Sequence, residues 1–368
     1  MTTNPLDPES YTHRSVSVPS GTSYHLIDQA PTPSQGQVKD APTVLLLHGF
    51  PDLWWGWRYQ IAAFSARGYR VVCPTQLGYG ETSRPGDLAR YSWKSVAFDM
   101  NAVLDVVGAG KVFVIGHDWG GQIAWRFTEY FPERVLAVAS VCTPYLPPPA
   151  ASAPFISLEE LVRTKLPNFG YQIFFASDRS APKFDQVLDH VVSSMFSPVV
   201  RQKKLAAGED VSAMPNKVGE YEKYLDAMIA KKEKGTLPEL PNDPESRYYV
   251  ETFRKTGLKH ALNWYRTRKL NYKQDQADRL AEKGFPPHIP ALLLPAEKDV
   301  ALPPAMSKSE AVLKAFERGG NLRIEVIEGA DHWLLQDQRF RDQVTNKLDA
   351  FMQEVASGKW LPAKGAKM

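Results

Sequence analysis

Residues 111–121 read Lys-Val-Phe-Val-Ile-Gly-His-Asp-Trp-Gly-Gly, KVFVIGHDWGG. Val112, Phe113, Val114 and Ile115 form an apolar run of strand length that breaks at Gly116, and Gln122-Ile123-Ala124-Trp125 then resumes with helical spacing. The stretch is a strand, a sharp turn and a helix, with Asp118 set between glycines. A chain folded that tightly around one reactive residue needs glycine beside it, because bulkier neighbours would collide, and the central residue takes strained dihedrals. A carboxylate at this position narrows the chemistry. A serine that opened an electrophilic carbon lacking a carbonyl would end as an unreactive ether, whereas a carboxylate forms an ester that water can cleave. The expected substrates are therefore alkylating electrophiles, epoxides or alkyl halides. The competing reading is an ordinary turn in which Asp118 caps the following helix. Partners elsewhere in the chain decide between the two.

The chain has 368 residues, 43% hydrophobic and 11% aromatic, enough to bury a large core in one elaborated domain or two. A net charge of +3 and a pI near 8.6 are too mild and too dispersed for a nucleic-acid surface. Cys73 and Cys142 both sit in apolar, strand-like contexts, which favours buried free thiols over a disulfide or a metal site. The opening MTTNPLDPESYTHR lacks the apolar core of a signal peptide, and no stretch approaches membrane-spanning length. A cytoplasmic protein is expected, with no membrane partner.

Working outward, residues 15–18 and 23–27 read as an edge hairpin, and 43–47 as a continuous apolar strand of the kind buried on both faces of a parallel sheet. A helix over 54–64, a strand over 69–73 and a helix over 95–107 lead to the pivotal strand. After it come a helix over 122–131 and a strand over 134–141. This alternation predicts an α/β fold with a mainly parallel sheet. Thr143-Pro144-Tyr145-Leu146-Pro147-Pro148-Pro149 punctuates the chain, and from there the composition is amphipathic helix and polar loop. The sheet resumes with strands over 291–294 and 322–327, followed by a last helix over 340–355. Residues 146–285 are thus expected as a helical cap inserted between core segments 1–145 and 286–368, over the strand ends where such sheets place their sites.

A nucleophilic Asp118 needs a base to activate water for ester cleavage. His332, in Gly329-Ala330-Asp331-His332-Trp333, follows the last strand, and an imidazole of pKa about 6.5 can take that proton near neutrality. Asp299, in Ala296-Glu297-Lys298-Asp299, follows the strand before it and is the expected partner of the histidine, with Glu297 as rival. All three groups then sit just past strands, on one edge of a parallel sheet, in the order nucleophile, acid, histidine. The amides of Phe50, in His48-Gly49-Phe50-Pro51, and Trp119 are candidates to hold an oxyanion. Neither His48 nor His117 has a second histidine at metal-ligand spacing, so no metal and no cofactor are expected.

Together, His48-Gly49-Phe50-Pro51, Gly78-Tyr79-Gly80, the Asp118 turn, Ala296-Glu297-Lys298-Asp299 and Gly329-Ala330-Asp331-His332-Trp333 resemble the soluble epoxide hydrolases of the α/β-hydrolase superfamily. The resemblance covers nearly the whole chain from about residue 15 and implies an α/β-hydrolase fold with a helical cap. It further implies two cap tyrosines, one in a Tyr-Gln motif and one in an Asn-Trp-Tyr-Arg motif. These match Tyr171 in Gly170-Tyr171-Gln172 and Tyr265 in Asn263-Trp264-Tyr265-Arg266. Opening an epoxide makes a basic alkoxide that needs a proton, and a phenol of pKa about 10 still carries one at neutral pH. The expected reaction is therefore epoxide plus water to vicinal diol. Trp54, Trp119, Phe174 and Trp333 suggest an apolar pocket for lipophilic epoxides. The displaced loop Gly80-Glu81-Thr82-Ser83 and a long polar stretch, 203–246, depart from the family pattern, and the latter bears on the entrance. Two alternatives remain. A haloalkane dehalogenase would grip halide with an asparagine, where Phe50 stands, or a cap tryptophan; a fluoroacetate dehalogenase would follow its nucleophile with arginine, where Trp119 stands. A small-molecule receptor on the same fold could lose the triad without penalty, yet every member is present.

Overall fold

The computed structural model describes residues 3–32, 41–317, 319 and 321–360. Eight strands make one sheet in the order β1-β2-β4-β3-β5-β6-β7-β8. They are β1 (His13–Ser17), β2 (Ser23–Gln29), β3 (Thr43–Leu47), β4 (Arg70–Pro74), β5 (Val112–His117), β6 (Val135–Val141), β7 (Ala291–Leu294) and β8 (Leu322–Ile324). β1 and β2 form the expected hairpin and β2 pairs antiparallel with β4, while every pairing from β4 to β8 is parallel. All residues of β3, β5 and β7 are buried, which is why these strands read as unbroken apolar runs. The strand expected over 322–327 is shorter: β8 ends at Ile324, and only an isolated bridge between Ala296 and Ile327 continues the pairing.

Helices α1 (Arg58–Ala66), α2 (Trp93–Val106) and α3 (Trp119–Tyr130) cross over between the first parallel strands. The helix expected from residue 54 instead opens as a 3-10 turn, Trp54–Trp57, before α1 begins. α2 starts on a side-chain cap, with Ser92 accepting from the Ser95 amide. After β6 come α4 (Leu158–Thr164), α5 (Gly170–Ala176), α6 (Ser180–Phe196), α7 (Pro198–Ala206), α8 (Glu220–Glu233), α9 (Pro244–Thr256), α10 (Arg268–Ala277) and α11 (Leu280–Lys283). Two short helices, α12 (Pro304–Ser307) and α13 (Glu310–Phe316), and the long α14 (Arg341–Ala356) complete the chain.

The helices between β6 and β7 are fastened over the ends of the parallel strands by buried polar ties. Tyr249 of α9 donates to Asp52 Oδ1 at 2.6 Å, and the Trp264 indole donates to the Leu77 carbonyl at 3.0 Å. Arg126 of α3, with 1% of its side chain exposed, pairs at 2.8 Å with both Glu129 and Asp275 of α10. Charges this deep persist only when paired, so the triad is a strong positional constraint. Among the described residues no helix is long and apolar enough to cross a membrane.

Candidate active site

β3, β5, β7 and β8 point their C-terminal ends toward one edge of the sheet, and the chain leaving each of them carries a functional group there. Asp118 closes the β5–α3 turn at φ 53° and ψ −126°, a backbone conformation that side-chain-bearing residues rarely adopt. Glycine is obligatory around it. A Cβ on Gly120 would lie 2.1 Å from the Leu47 carbonyl oxygen, and one on Gly49 would lie 2.2 Å from Asp118 Oδ1. Asp118 does not cap α3 with its side chain, which removes the helix-cap reading. Instead the Phe50 amide donates to Asp118 Oδ1 at 2.7 Å, and the Thr143 hydroxyl donates to the Asp118 carbonyl at 2.7 Å. Trp119 begins α3, where the first amides have no partner within the helix.

His332 lies between two carboxylates. Its Nδ1 donates to Asp299 Oδ2 at 2.6 Å, and its Nε2 stands 3.5 Å from Asp118 Oδ2. The side chain of Asp299 is fully buried, and its Oδ1 accepts from the Ala301 and Leu302 amides at 3.0 and 2.9 Å. Glu297, the rival acid, is exposed and accepts instead from the Gly329 amide at 2.7 Å. Burial pushes both Asp118 and Asp299 up. Their charge attraction and hydrogen bonds to His332, with the amide donors, outweigh it and hold both below the usual carboxylate range. For His332 burial acts downward, but the Asp299 charge and the bonds to Asp118 and Asp299 raise it well above its ordinary value. The histidine and the two carboxylates thus each favour the charged form of the others.

Tyr171 of α5 and Tyr265 hang over Asp118, their rings 6.3 Å apart and both side chains buried. Burial raises both phenols, and the nearby Asp118 charge adds to the effect, so both keep their protons. With Asp118, Phe50, His332 and Trp333 they line a cavity of about 180 Å³; a second of about 80 Å³ also reaches Asp118 and both tyrosines from the Trp119 side. A larger cleft of about 960 Å³ holds none of these groups.

Two aromatic expectations need correction. Trp54 is buried away from Asp118, donates its indole N–H to the Tyr248 hydroxyl at 2.8 Å and borders the larger cleft. Phe174 turns into the helical layer against Phe184, and its neighbour Phe175 faces the cavity. Phe175 stands four residues after Tyr171 and their rings are 5.2 Å apart, but Phe174, three residues after it, is a helical neighbour as well, so spacing alone did not separate them. Trp333 does border the cavity. So do Met195, Arg201, Lys204, Tyr221 and Tyr224, which sequence reasoning did not single out.

His48 donates to the Gly49 carbonyl and accepts from the Gln76 amide, which marks it as structural. His117, Cys142 and His332 bring potential ligand atoms within 4.8 Å of one another. His332, however, directs both ring nitrogens at carboxylates, and His117 Nε2 donates to the His332 carbonyl at 2.9 Å, so the donor set does not suit a metal ion. Both cysteines are buried and free.

Fold and site together define an α/β hydrolase whose sharp strand-to-helix turn presents a carboxylate. Residues 42–338 match the family described as alpha/beta hydrolase fold. The chain is 33% identical over 340 residues to epoxide hydrolase srdG of Neurospora crassa, covering 90% of this chain and 92% of that one. It is 32% identical over 329 residues to bifunctional epoxide hydrolase 2 of Mus musculus, covering 89% of this chain and 53% of that one. The chain thus spans about half the length of the mammalian relatives it matches. Among solved structures, epoxide hydrolase VrEH1 from Vigna radiata superposes with a TM-score of 0.71 at 26% identity, covering 95% of this chain and 99% of that one. The chain belongs to the epoxide hydrolases of the α/β-hydrolase superfamily.

Proposed function

We propose that this chain hydrolyses lipophilic epoxides to vicinal diols in the cytoplasm, with water as co-substrate and no cofactor, through an ester formed on Asp118. The observation that carries the reading is the meeting, around one cavity, of Asp118, the His332–Asp299 pair and two buried phenols. In this reading residues 146–285 form a cap that supplies the phenols to a core made of 1–145 and 286–368.

Tyr171 and Tyr265 hydrogen-bond the oxirane oxygen while Asp118 Oδ2 attacks a ring carbon from the opposite face. The C–O bond breaks, the alkoxide takes a phenol proton, and a hydroxyalkyl ester remains. Alkylation removes the Asp118 charge. One of the two anions that favour the imidazolium is gone and its proton affinity falls, so His332 gives its proton back to the phenolate, which restores the tyrosine, and the neutral ring can then accept another from water. Asp299 holds the ring and stabilises the imidazolium as hydroxide adds to the ester carbonyl; the adduct then collapses, the bond from the carboxyl carbon to Oδ2 breaks, and the diol oxygen leaves with the carboxyl proton, which restores the Asp118 carboxylate beside the imidazolium. The Phe50 amide already holds Oδ1, the oxygen that becomes the oxyanion, and the Trp119 amide is its second donor. A halide leaving group would have no use for the phenol protons.

The test is His332→Gln mixed with styrene oxide. An adduct of one epoxide on the peptide containing Asp118 is expected by mass spectrometry. Diol formation at the wild-type rate with no adduct would refute the covalent scheme.

A further inference from the structure

The residues on either side of His332 in sequence are both held by the helical segment above the sheet. Asp331 pairs with the guanidinium of Arg201 in α7, and the ring of Trp333 packs edge-on against Phe196 of α6, with centroids 5.0 Å apart. Arg201 also donates through Nε to Asp337 Oδ2 at 2.7 Å, so a single side chain spans the turn that carries the histidine. Asp331 turns its other oxygen inward to accept from the Trp333 amide at 3.0 Å. These groups are well shielded from solvent, with side-chain exposures of 15% for Arg201, 5% for Asp331 and 3% for Asp337. α7 is itself fixed. The Ser197 hydroxyl accepts from the Val200 amide at its first turn and donates to Asp243 Oδ2 at 2.6 Å, and Asp243 caps α9.

We propose that Arg201 is a positioning residue for His332, fastening its turn and neutralising the adjacent Asp331 carboxylate. The proposal rests on the reading of Asp118 as nucleophile and His332 as the base that activates water. His332 already faces Asp118 from the β5–α3 turn and Asp299 from beyond β7, with His117 of β5, Cys142 beyond β6 and Tyr171 of α5 also against it. Lys298 borders the same cavity. Arg339 pairs with Asp337 at 2.6 Å and feels the Asp331 charge only from a distance, so an Asp331 without its contact partner Arg201 would act as a third anion and favour the imidazolium, which cannot take a proton from water. Arg201 cancels that anion, so the base recovers once Asp118 is esterified.

The experiment compares wild type, Arg201→Gln, Arg201→Lys and Arg201→Gln/Asp331→Asn as full chains. Single-turnover mass spectrometry with styrene oxide follows formation and decay of the Asp118 ester, and NMR of ¹⁵N-labelled histidine follows the His332 titration. In Arg201→Gln ester formation should stay within a few-fold of wild type. Ester hydrolysis should slow by about 10-fold or more at neutral pH, with its acid limb moved up by about one pH unit. Arg201→Lys should recover part of the rate, and the double variant should return the limb toward wild type. Wild-type hydrolysis and an unmoved limb in Arg201→Gln would overturn the proposal. So would equal loss of both half-reactions with no return in the double variant, the signature of a merely structural role. If Arg201→Gln does not fold, Asp331→Asn alone should lower the limb, and an unmoved limb there refutes the idea equally. A wild-type protein that forms no ester would remove the underlying reading of Asp118, while the NMR titration still judges Arg201.

Discussion

Replacing Asp299 with asparagine separates the two half-reactions, and the hydrogen bonds around it state how. Asp299 Oδ1 already accepts two backbone amides, from Ala301 and Leu302, so an asparagine must keep its carbonyl oxygen there. Its NH₂ group then points at His332 Nδ1, which forces that nitrogen to become an acceptor and places the ring proton on Nε2. An Nε2 that carries a proton cannot take one from water. Loss of the correct tautomer in a hydrolase triad costs about 10⁴-fold, and a charge-assisted hydrogen bond of about 1.5–3 kcal/mol is lost with it. The attack of Asp118 on the epoxide needs no base, so ester formation should be slowed far less. Rapid mixing with a chromogenic epoxide, followed by acid quench and intact-mass measurement, should show Asp299→Asn filling with covalent ester within one turnover while diol release falls by about 10⁴. Diol release within ten-fold of wild type, or failure of ester to accumulate while diol release falls, would refute this account of the Asp299–His332 pair.

Removing both phenol protons with Tyr171→Phe/Tyr265→Phe should lower the rate of ester formation by about 10²–10⁴-fold, since these two phenols line both cavities that reach Asp118; undiminished epoxide opening would remove the acid assignment. Because the folded pKa of His332 is raised, its contribution to stability is fully present below its unfolded value of about 6.5 and is lost as pH climbs through the raised folded value. The melting temperature of wild type relative to His332→Gln should therefore be highest near pH 6 and shrink toward pH 9, and a constant difference would contradict the shift. Asp118 and Asp299, both depressed, act oppositely: their stabilisation is present above about pH 4 and lost below it, so Asp299→Asn should show a weaker acid transition in circular dichroism. Arg126→Met strands Glu129 and Asp275 as unpaired buried carboxylates and should cost about 3–5 kcal/mol in chemical denaturation. A loss under 1 kcal/mol would mean that the triad is relaxed by water.

The parts of the site that sequence made legible are those tied to strand ends. Asp118 and Asp299 each follow a short apolar run and His332 an alternating one, and a parallel sheet sends such strand ends to one edge, so their meeting follows from topology. Tyr171 and Tyr265 were legible through short motifs that resemble a family, since nothing in periodicity alone distinguishes a cavity-facing phenol from a packed one. Facing direction was the weak point. Trp54 and Phe174 are aromatic and near the right motifs, but at about 100° per residue Phe174 lies about 60° to one side of Tyr171 and Phe175 about 40° to the other, too small a difference for spacing alone to say which faces the cavity. Arg201 was invisible for a different reason: its partners Asp331 and Asp337 are more than a hundred residues away, and a basic residue in a polar stretch carries no sign of its ion pair.

The bond from the Phe50 amide to Asp118 Oδ1 distinguishes two chemically identical atoms before any substrate arrives. In the proposed cycle the tethered oxygen would stay with the protein, while its untethered twin would leave as part of the diol and be replaced from solvent. Every catalytic cycle would thus rebuild half of the carboxylate, and the first diol released by a fresh molecule would carry an atom laid down when the chain was synthesised.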